Sequence, residues 1–282
     1  MNNSINLFPN SLNLITDREK KHPFHLVDPS PWPFVESFAT FLMLVGNVLY
    51  MHFYSKGGFF ATLGLFLVVA TAIIWWRDVI REATFEGHHT FAVQKGLKFG
   101  FTLFIVSEVM LFFAFFWGYF HSSLNPTMEI GCTWPPVGII PMNPWGIPLL
   151  NTFILLTSGA TITWAHYAMI AGYRKQVIEG TIFTIILAAV FTGFQGYEYI
   201  NATFSLSDGI YGTTFYSCTG LHGLHVIIGT IFITVCFFRN LNYHFTRTHH
   251  LGFEAAIWYW HFVDVVWIFL FLMIYWWGFN PN

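Results

Sequence analysis

One carboxylate lies near the middle of a long apolar stretch, residues 97–121. A stretch of this length can cross a bilayer as a helix, which needs about 20 apolar residues. The acid is Glu108, and phenylalanines lie on or beside its helical face at Phe101, Phe104, Phe112 and Phe115. A charged acid at mid-bilayer costs about 2.5–3.5 kcal/mol, so such residues usually face protein or a water path. Two interpretations stay open: Glu108 handles protons, or it is protonated and hydrogen-bonded to a neighbouring helix as a structural contact.

Histidines and a second acid are the other candidates for chemistry. His222 and His225 stand three apart in one apolar segment, as do His261 and Asp264 in another, so each pair shares a helical face. His166 lies near the end of a further segment. A haem or copper site needs imidazoles from different helices at one depth. We expect His222 and His225 in the outer half of their helix and His261 nearer the inner side. The sequence therefore favours interhelical hydrogen bonds, with His261 and Asp264 neutralising each other, and predicts no metal site.

The composition is that of a membrane protein. Of 282 residues, 55% are hydrophobic and only 9% are charged, whereas soluble domains carry about 25% charged residues. The net charge of −2 gives no reason to expect a nucleic acid partner. The three cysteines form no CxxC pair, so neither a disulfide framework nor a thiolate metal site is predicted. No signal peptide is recognised in the first thirty residues.

Seven apolar segments follow a polar, proline-containing tail at residues 1–33, which we expect to lie outside the membrane. Sheet is excluded because a lone spanning strand cannot satisfy its backbone in lipid and no barrel-like alternation occurs. The prediction is an all-α polytopic membrane protein. The segments cover residues 34–54, 59–76, 97–121, 148–171, 179–200, 213–238 and 253–277.

The distribution of basic residues gives the orientation. With seven spans, Lys56 is the one basic residue on one face, and the other eleven of the twelve Lys and Arg residues share the opposite face. Because basic residues concentrate in inner loops, the amino terminus is predicted inside and the carboxyl terminus outside. The basic residues of the predicted inner face are Arg18, Lys20, Lys21, Arg77, Arg81, Lys95, Lys98, Arg174, Lys175, Arg239 and Arg247.

The connections between segments differ in character. The outer loop 122–147 is rich in proline and lacks basic residues, which predicts a rigid, folded cap. The inner connection after the second segment carries both signs of charge, with Arg77 and Arg81 on one helical face. Such a face suits lipid phosphates, although a solvated helix explains the same charges. We also expect close helix approach at Gly96, Gly100, Gly193, Gly196, Gly220, Gly223 and Gly229.

Motifs along nearly the whole chain, from about His22 to Gly278, resemble the cytochrome c oxidase subunit III family, and the mitochondrial form above all. The order and spacing of these motifs agree with the family. Besides the Glu108 helix they are HPFHLVDPSPWP, WWRDVIREATFEGHHT, CTWPPVGI, PLLNT, SGATITWAH, SDGIYG, TGLHGLHVIIG and HHLGFEAAIWYWHFVDVVWIFLFLMIYWWG.

This resemblance implies a fold and a function. It implies seven helices in a two-plus-five arrangement around a V-shaped cleft that holds phospholipids, with helices 1 and 2 and their inner connection in residues 34–96 and helices 3–7 in residues 97–282. Haem and copper would belong to subunits I and II, which reduce dioxygen with electrons from cytochrome c and pump protons. This chain would hold no redox centre, and would support proton uptake and turnover stability of subunit I.

The resemblance also implies site residues and surroundings. Glu108 matches a buried acid that faces subunit I. Partners would be subunits I and II, smaller accessory subunits, and phospholipids of the cardiolipin, phosphatidylethanolamine or phosphatidylglycerol class. The location would be the mitochondrial inner membrane, with the amino terminus on the matrix side. A second basic residue that often follows Arg239 in the family is absent here. The implied lipid contacts are Trp76, Arg81, Glu82, Thr84, His89, Arg239, His244 and Thr246.

The sequence disfavours two alternatives to this function. A freestanding proton-coupled transporter would use Glu108, Asp264 and His261 as a relay, and would predict inverted repeats. Helices 1–3 and 5–7 share no motif, so the sequence disfavours it. A bacterial quinol oxidase subunit is a variant of the same family interpretation, disfavoured by the closeness to mitochondrial sequences.

Overall fold

Seven long helices and no strand make up the part of the chain that the computed structural model describes, residues 22–279. Each helix is long and apolar enough to cross a membrane. The all-α, seven-span prediction is therefore confirmed, while most of the predicted tail lies outside the described residues. The helices are α1 Trp32–Met51, α2 Gly57–Thr84, α3 Phe91–Ser123, α4 Ile147–Ala171, α5 Arg174–Ile200, α6 Gly209–Leu241 and α7 Leu251–Leu270, the last continued by a π-helical turn, Phe271–Trp276.

Several helices extend beyond the apolar segments that predicted them. The largest difference is at the inner connection after α2, where α2 continues to Thr84 and α3 already begins at Phe91. Only residues 85–90 connect the two helices. Apolarity marks the length of chain that suits lipid, whereas a helix continues wherever its backbone hydrogen bonds continue. The charged residues at this end of α2 are thus mostly helical.

The chain divides into two compact units, Met1–Leu97 and Lys98–Asn282. In the first unit, α1 and α2 form a helical hairpin joined by residues 52–56. Its buried residues are small and recur every seven positions in each helix, a spacing that keeps one stripe against the partner helix. They are Ala39 and Gly46 on α1, and Gly57, Gly64 and Thr71 on α2.

The hairpin needs glycine where its two helices meet. A β-carbon added to Gly64 would lie 2.4 Å from the backbone nitrogen of Met43, and one added to Gly46 would lie 2.2 Å from that of Ala61. No side chain fits at such distances without moving the backbone.

The expectation of close helix approach at the other glycines is mostly wrong for the described chain. Only Gly229 lies close to a neighbouring helix, with Trp260 3.0 Å from the position of an added β-carbon. At the remaining positions an added β-carbon would meet nothing within 4 Å among the described residues; these are Gly96, Gly100, Gly193, Gly196, Gly220 and Gly223.

In the second unit, α7 is the most enclosed helix and packs against α4 and α6. Two of its three tryptophans, Trp260 and Trp267, are fully buried. The indole Nε1–H of Trp260 donates to Ser158 Oγ of α4 at 2.9 Å, and that of Trp267 donates to Thr152 Oγ1 at 3.0 Å. A buried indole needs such an acceptor because its N–H has lost water. These bonds fix α7 against α4.

The connection between α3 and α4 folds onto the helices, as expected for a proline-rich cap. It contains one 3₁₀ turn, Met128–Ile130. Trp134 packs edge-on against Tyr119, with ring centroids 5.4 Å apart, and at a tilt against Tyr211, with centroids 5.3 Å apart. Its indole N–H also donates to the Tyr119 hydroxyl at 3.3 Å. The loop is thus part of the packed structure of the second unit.

The α1–α2 contact yields a matched pair of substitutions. Gly64→Ala should destabilise the protein, because the new methyl group meets the Met43 backbone and overpacking costs about 1–3 kcal/mol. Gly58→Ala in the same helix is the control, since its β-carbon meets only the Tyr50 side chain at 3.4 Å. The thermal midpoint of the purified protein measures both effects. Equal midpoints for the two variants would contradict the close approach at Gly64.

Candidate functional site

Glu108 of α3 is paired with a histidine of α6. Its Oε2 lies 2.8 Å from Nε2 of His225. The Glu108 side chain is 20% exposed and that of His225 is 8% exposed. The rings of Phe112, Tyr259 and Phe262 surround the imidazole, with centroids 5.1, 6.1 and 6.0 Å away. The acid therefore meets its partner in an apolar, aromatic environment.

The contact of the second ring nitrogen of His225, Nδ1, determines where the proton of the Glu108–His225 pair can lie. Nδ1 lies 2.7 Å from the Leu221 carbonyl oxygen, which can only accept, so Nδ1–H is the donor. The bond between Nε2 and Glu108 then needs one proton. That proton is on the acid, giving two neutral groups, or on the imidazole, giving an ion pair. In both states the pair is neutral overall and holds one transferable proton.

Sequence reasoning placed Glu108 and His225 correctly on apolar helices but did not pair them. Residue spacing shows which side chains share one helix face, and gives no information on which face of another helix lies opposite. The observed interhelical hydrogen bond agrees with both sequence-based interpretations of Glu108, the proton-handling acid and the structural contact.

The other α6 histidine makes an interhelical hydrogen bond of the expected kind. His222 is 1% exposed, and its Nε2–H donates to the Val263 carbonyl of α7 at 3.2 Å. Its ring also packs against Trp267, with centroids 5.1 Å apart. These contacts hold α6 against α7.

The predicted difference in depth between the α6 histidines and His261 is wrong. His222 bonds to Val263, and His225 packs against Phe262, so both lie level with His261. The error arose because α6 begins at Gly209, earlier than its apolar segment indicated. The imidazoles point in different directions, because His261 faces Thr163 of α4 whereas His225 faces Glu108 of α3.

His261 and Asp264 form the expected pair. Nδ1 of His261 lies 3.6 Å from Asp264 Oδ2, and its Nε2 lies 3.1 Å from Thr163 Oγ1. Because Thr163 donates its own proton to the Gly159 carbonyl at 2.8 Å, it accepts from His261. Gly159 makes room for the acid, since a β-carbon there would lie 2.3 Å from Asp264 Oδ2. This second acid–histidine pair thus depends on a glycine of α4.

The lipid-contact candidates of the first unit lie near the end of α2. Trp76 is 64% exposed, and Arg81 is also exposed, whereas Glu82, Thr84 and His89 are partly buried. These side chains lie at one end of α2 and in the connection that follows. Among these five candidates, Trp76 and Arg81 are the exposed ones.

The segment before α1 and the first residue of α1 pack on this region, which the sequence did not predict. Nε2 of His25 lies 3.9 Å from Glu82 Oε2, and its ring stacks on His88 with centroids 4.6 Å apart. The indole N–H of Trp32 donates to Asp78 Oδ2 at 2.7 Å. Glu82 is therefore already engaged by a residue of its own chain.

The candidates of the second unit lie in the last turn of α6 and in the connection that follows. The Arg239 guanidinium lies over the ring of Phe245, 4.4 Å from its centroid. Burial, and then the positive charge of Arg239, lower the pKa of His244. Thr246 is exposed and lines a cavity of about 270 Å³ together with Arg174.

Arg174, at the start of α5, closes the end of α6. Its guanidinium donates to the carbonyl oxygens of Asn240 and Leu241 at 3.3 and 3.0 Å. The group also donates to the Tyr243 hydroxyl at 2.9 Å. The last carbonyls of a helix lack intrahelical partners, so this arginine satisfies two of them and opposes the helix dipole.

The sequence of this chain matches a protein-family model and curated proteins over most of its length. The family model described as cytochrome c oxidase subunit III matches residues 22–279. The chain belongs to this family. Similar curated proteins named cytochrome c oxidase subunit 3 include that of Prototheca wickerhamii, 63% identical over 92% of this chain and 99% of the relative. The protein of Marchantia polymorpha is 62% identical over 93% of this chain and 98% of the relative. The protein of Chondrus crispus is 58% identical over 95% of this chain and 98% of the relative.

Family membership confirms the resemblance drawn from the motifs. The chain is a multi-pass membrane protein of a family whose members are subunits of an oxidoreductase complex. The family match covers all the residues that the structure describes, including both acid–histidine pairs.

The Glu108–His225 contact predicts coupled effects on stability. Glu108→Met and His225→Phe should each destabilise, because each leaves a buried polar partner at a cost of about 1–3 kcal/mol. The double variant should lose less than the sum, by about 0.5–2 kcal/mol. Free energies of unfolding in detergent titrations measure this difference.

Trp267→Phe provides the control for that cycle, because it removes a hydrogen bond to Thr152 and does not touch Glu108. The loss in free energy of unfolding caused by Trp267→Phe should add to the loss caused by Glu108→Met. If the Glu108 and His225 effects were also simply additive, the pair would not be a stabilising contact.

Proposed function

We propose that this chain is the non-redox core subunit III of mitochondrial cytochrome c oxidase, the terminal respiratory complex. That complex reduces dioxygen to water with electrons from cytochrome c and pumps protons. The observation that carries the proposal is family membership over residues 22–279, together with relatives of nearly the same length. Haem and copper reside in the partner subunits.

The proposal includes a location and partners. The chain lies in the mitochondrial inner membrane with its amino terminus on the matrix side, as the one-sided basic residues favour. The two-plus-five helix arrangement with a V-shaped cleft, which the resemblance to the family implies, is part of the same proposal. Subunits I and II and smaller accessory subunits are the partners of this chain. Large apolar side chains that are exposed in this chain, such as Phe113 and Trp117 of α3, support burial against lipid or other subunits.

Purification from mitochondrial membranes tests the assignment. A tagged chain should co-purify with haem-bearing subunits in a fixed ratio, whereas the chain separated from them should show no haem or copper absorption. A chain that runs alone in mild detergent, without any haem-bearing partner, would refute the proposal. Redox absorption that stays with the separated chain would refute its non-redox role.

Within the complex, the Glu108–His225 pair serves proton uptake and turnover stability of subunit I. The pair is neutral and shares one proton between the Glu108 carboxylate and Nε2 of His225. Loss or uptake of that proton therefore changes only the hydrogen bond between these two groups. Only the Nε2 side of His225 is available, because Nδ1 is fixed on Leu221. Glu108 keeps partial exposure, which leaves a route for exchange.

Glu108→Gln separates the proton role from the structural role. The glutamine amide can donate to His225 Nε2, so the interhelical bond and assembly should be retained. A glutamine carries no transferable proton, so proton uptake should slow and the enzyme should inactivate after fewer turnovers. Stopped-flow proton uptake and progress curves of oxygen consumption measure both.

Glu129→Gln, an exposed acid of the α3–α4 connection, is the matched control and should behave as the unaltered enzyme. Normal proton uptake together with a normal number of turnovers in Glu108→Gln would leave the pair a purely structural contact.

The second part of the proposal is phospholipid binding. The candidate contacts are Trp76, Arg81, Glu82, Thr84 and His89 near the end of α2, and Arg239, His244 and Thr246 in the last turn of α6 and just after it. Arg81 and Trp76 are exposed, a combination that suits a phosphate and the adjoining glycerol region at a membrane surface. Cardiolipin, phosphatidylethanolamine and phosphatidylglycerol are the expected classes.

Arg81→Ala should lower the amount of tightly bound phospholipid, because it removes an exposed guanidinium from this region. Quantitative mass spectrometry measures the loss in the lipids that remain bound after the complex has been delipidated. Lys56→Ala, at the predicted opposite face, is the control and should retain the full amount. Full lipid content in both variants would contradict the role of Arg81.

A further inference from the structure

Three possible metal ligands converge where α4 ends and α7 begins. His166 lies in α4, His250 directly precedes α7, and Glu254 lies in the first turn of α7. One ligand atom from each residue lies within 4.8 Å of the other two. His250 Nε2 and Glu254 Oε1 are 3.5 Å apart. That separation is close to the edge, about 3.3 Å, of a tetrahedron with ligands about 2.0 Å from its centre.

Both imidazoles present free nitrogens in a protected position. His250 is 6% exposed, and its Nδ1–H donates to the Thr246 carbonyl at 2.9 Å. This bond leaves Nε2 with a lone pair that faces the cluster. Histidines in metal sites are oriented by the same kind of hydrogen bond from their other ring nitrogen. Nε2 of His166 is buried and has no hydrogen-bond partner among residues 22–279.

The charge beside the cluster comes from Lys98 of α3. Its ammonium group contacts Glu254 Oε2. The lysine therefore engages one carboxylate oxygen, while the other oxygen, Oε1, faces His250. A metal ion would share Glu254 with this cation, which lowers its affinity but leaves the three ligand atoms in place.

We infer that His166, His250 and Glu254 form a zinc-binding site. Two imidazoles and one carboxylate are a frequent ligand set for Zn²⁺, with water as the fourth ligand. Mg²⁺ and Ca²⁺ prefer oxygen ligands and would be bound poorly. The bound ion would link α4 to the start of α7. The site is separate from haem and copper chemistry, and the sequence did not predict it because His250 and Glu254 were not among the candidates.

Zinc binding to the intact complex tests the site. The complex is treated with a chelator and dialysed against radioactive Zn²⁺, and bound zinc is counted per complex. Other subunits add a constant background, so the difference between variants is the result. His250→Ala should bind one zinc fewer, with an affinity loss at this site of at least about 100-fold. Lys98→Met should tighten binding about tenfold or more by removing the neighbouring cation.

His249→Ala is the matched control, because it removes the adjacent imidazole of the same turn and leaves the cluster intact; it should bind as the unaltered complex does. If His250→Ala does not assemble, anomalous diffraction at the zinc edge from zinc-soaked crystals of the unaltered complex decides the question. A peak about 2.0–2.2 Å from the three ligand atoms is expected. Equal zinc counts in His250→Ala and the unaltered complex, or no peak at this position, would overturn the inference.

Discussion

Inside a bilayer no water is available to polar side chains, so the polar groups between these helices must find partners within the protein. The second unit depends on this constraint. Trp260 and Trp267 bind hydroxyl groups of α4, and His222 binds a backbone carbonyl of α7. These hydrogen bonds give helices with similar apolar surfaces a specific neighbour and register. Dispersion contacts alone would allow α7 to rotate or slide, because lipid tails are as apolar as its leucines.

The same constraint explains why two membrane-embedded acids each have a histidine. Glu108 faces His225 across two helices, and Asp264 faces His261 within one helix. An imidazole can accept or donate at the contacting nitrogen, so each pair stays neutral whichever group carries the proton. A neutral pair is tolerated in a medium of low dielectric constant, and it retains a proton that can move. Stability and the proposed role in proton uptake therefore need the same arrangement at Glu108.

The two units solve the packing problem by different means. The α1–α2 hairpin relies on small residues that let backbones touch, and it directs large side chains such as Phe59 and Phe66 outward. The five-helix unit relies on buried aromatic rings and hydrogen bonds between side chains. An outward apolar surface suits contact with lipid and other subunits. The proposed place of the chain within a membrane complex agrees with this outward apolar surface.

The sequence by itself determined the seven spans, the one-sided distribution of basic residues and the family, because apolar length, charge and motif order are properties of the chain. It also indicated Glu108 and the His261–Asp264 pair, whose members share one helix. Only the tertiary structure decided that Glu108 meets His225, that His166 joins His250 and Glu254, and that most glycines of α5 and α6 do not mediate contacts. Spacing along a helix defines a face, whereas the rotation and register of the opposing helix follow from packing of the whole unit.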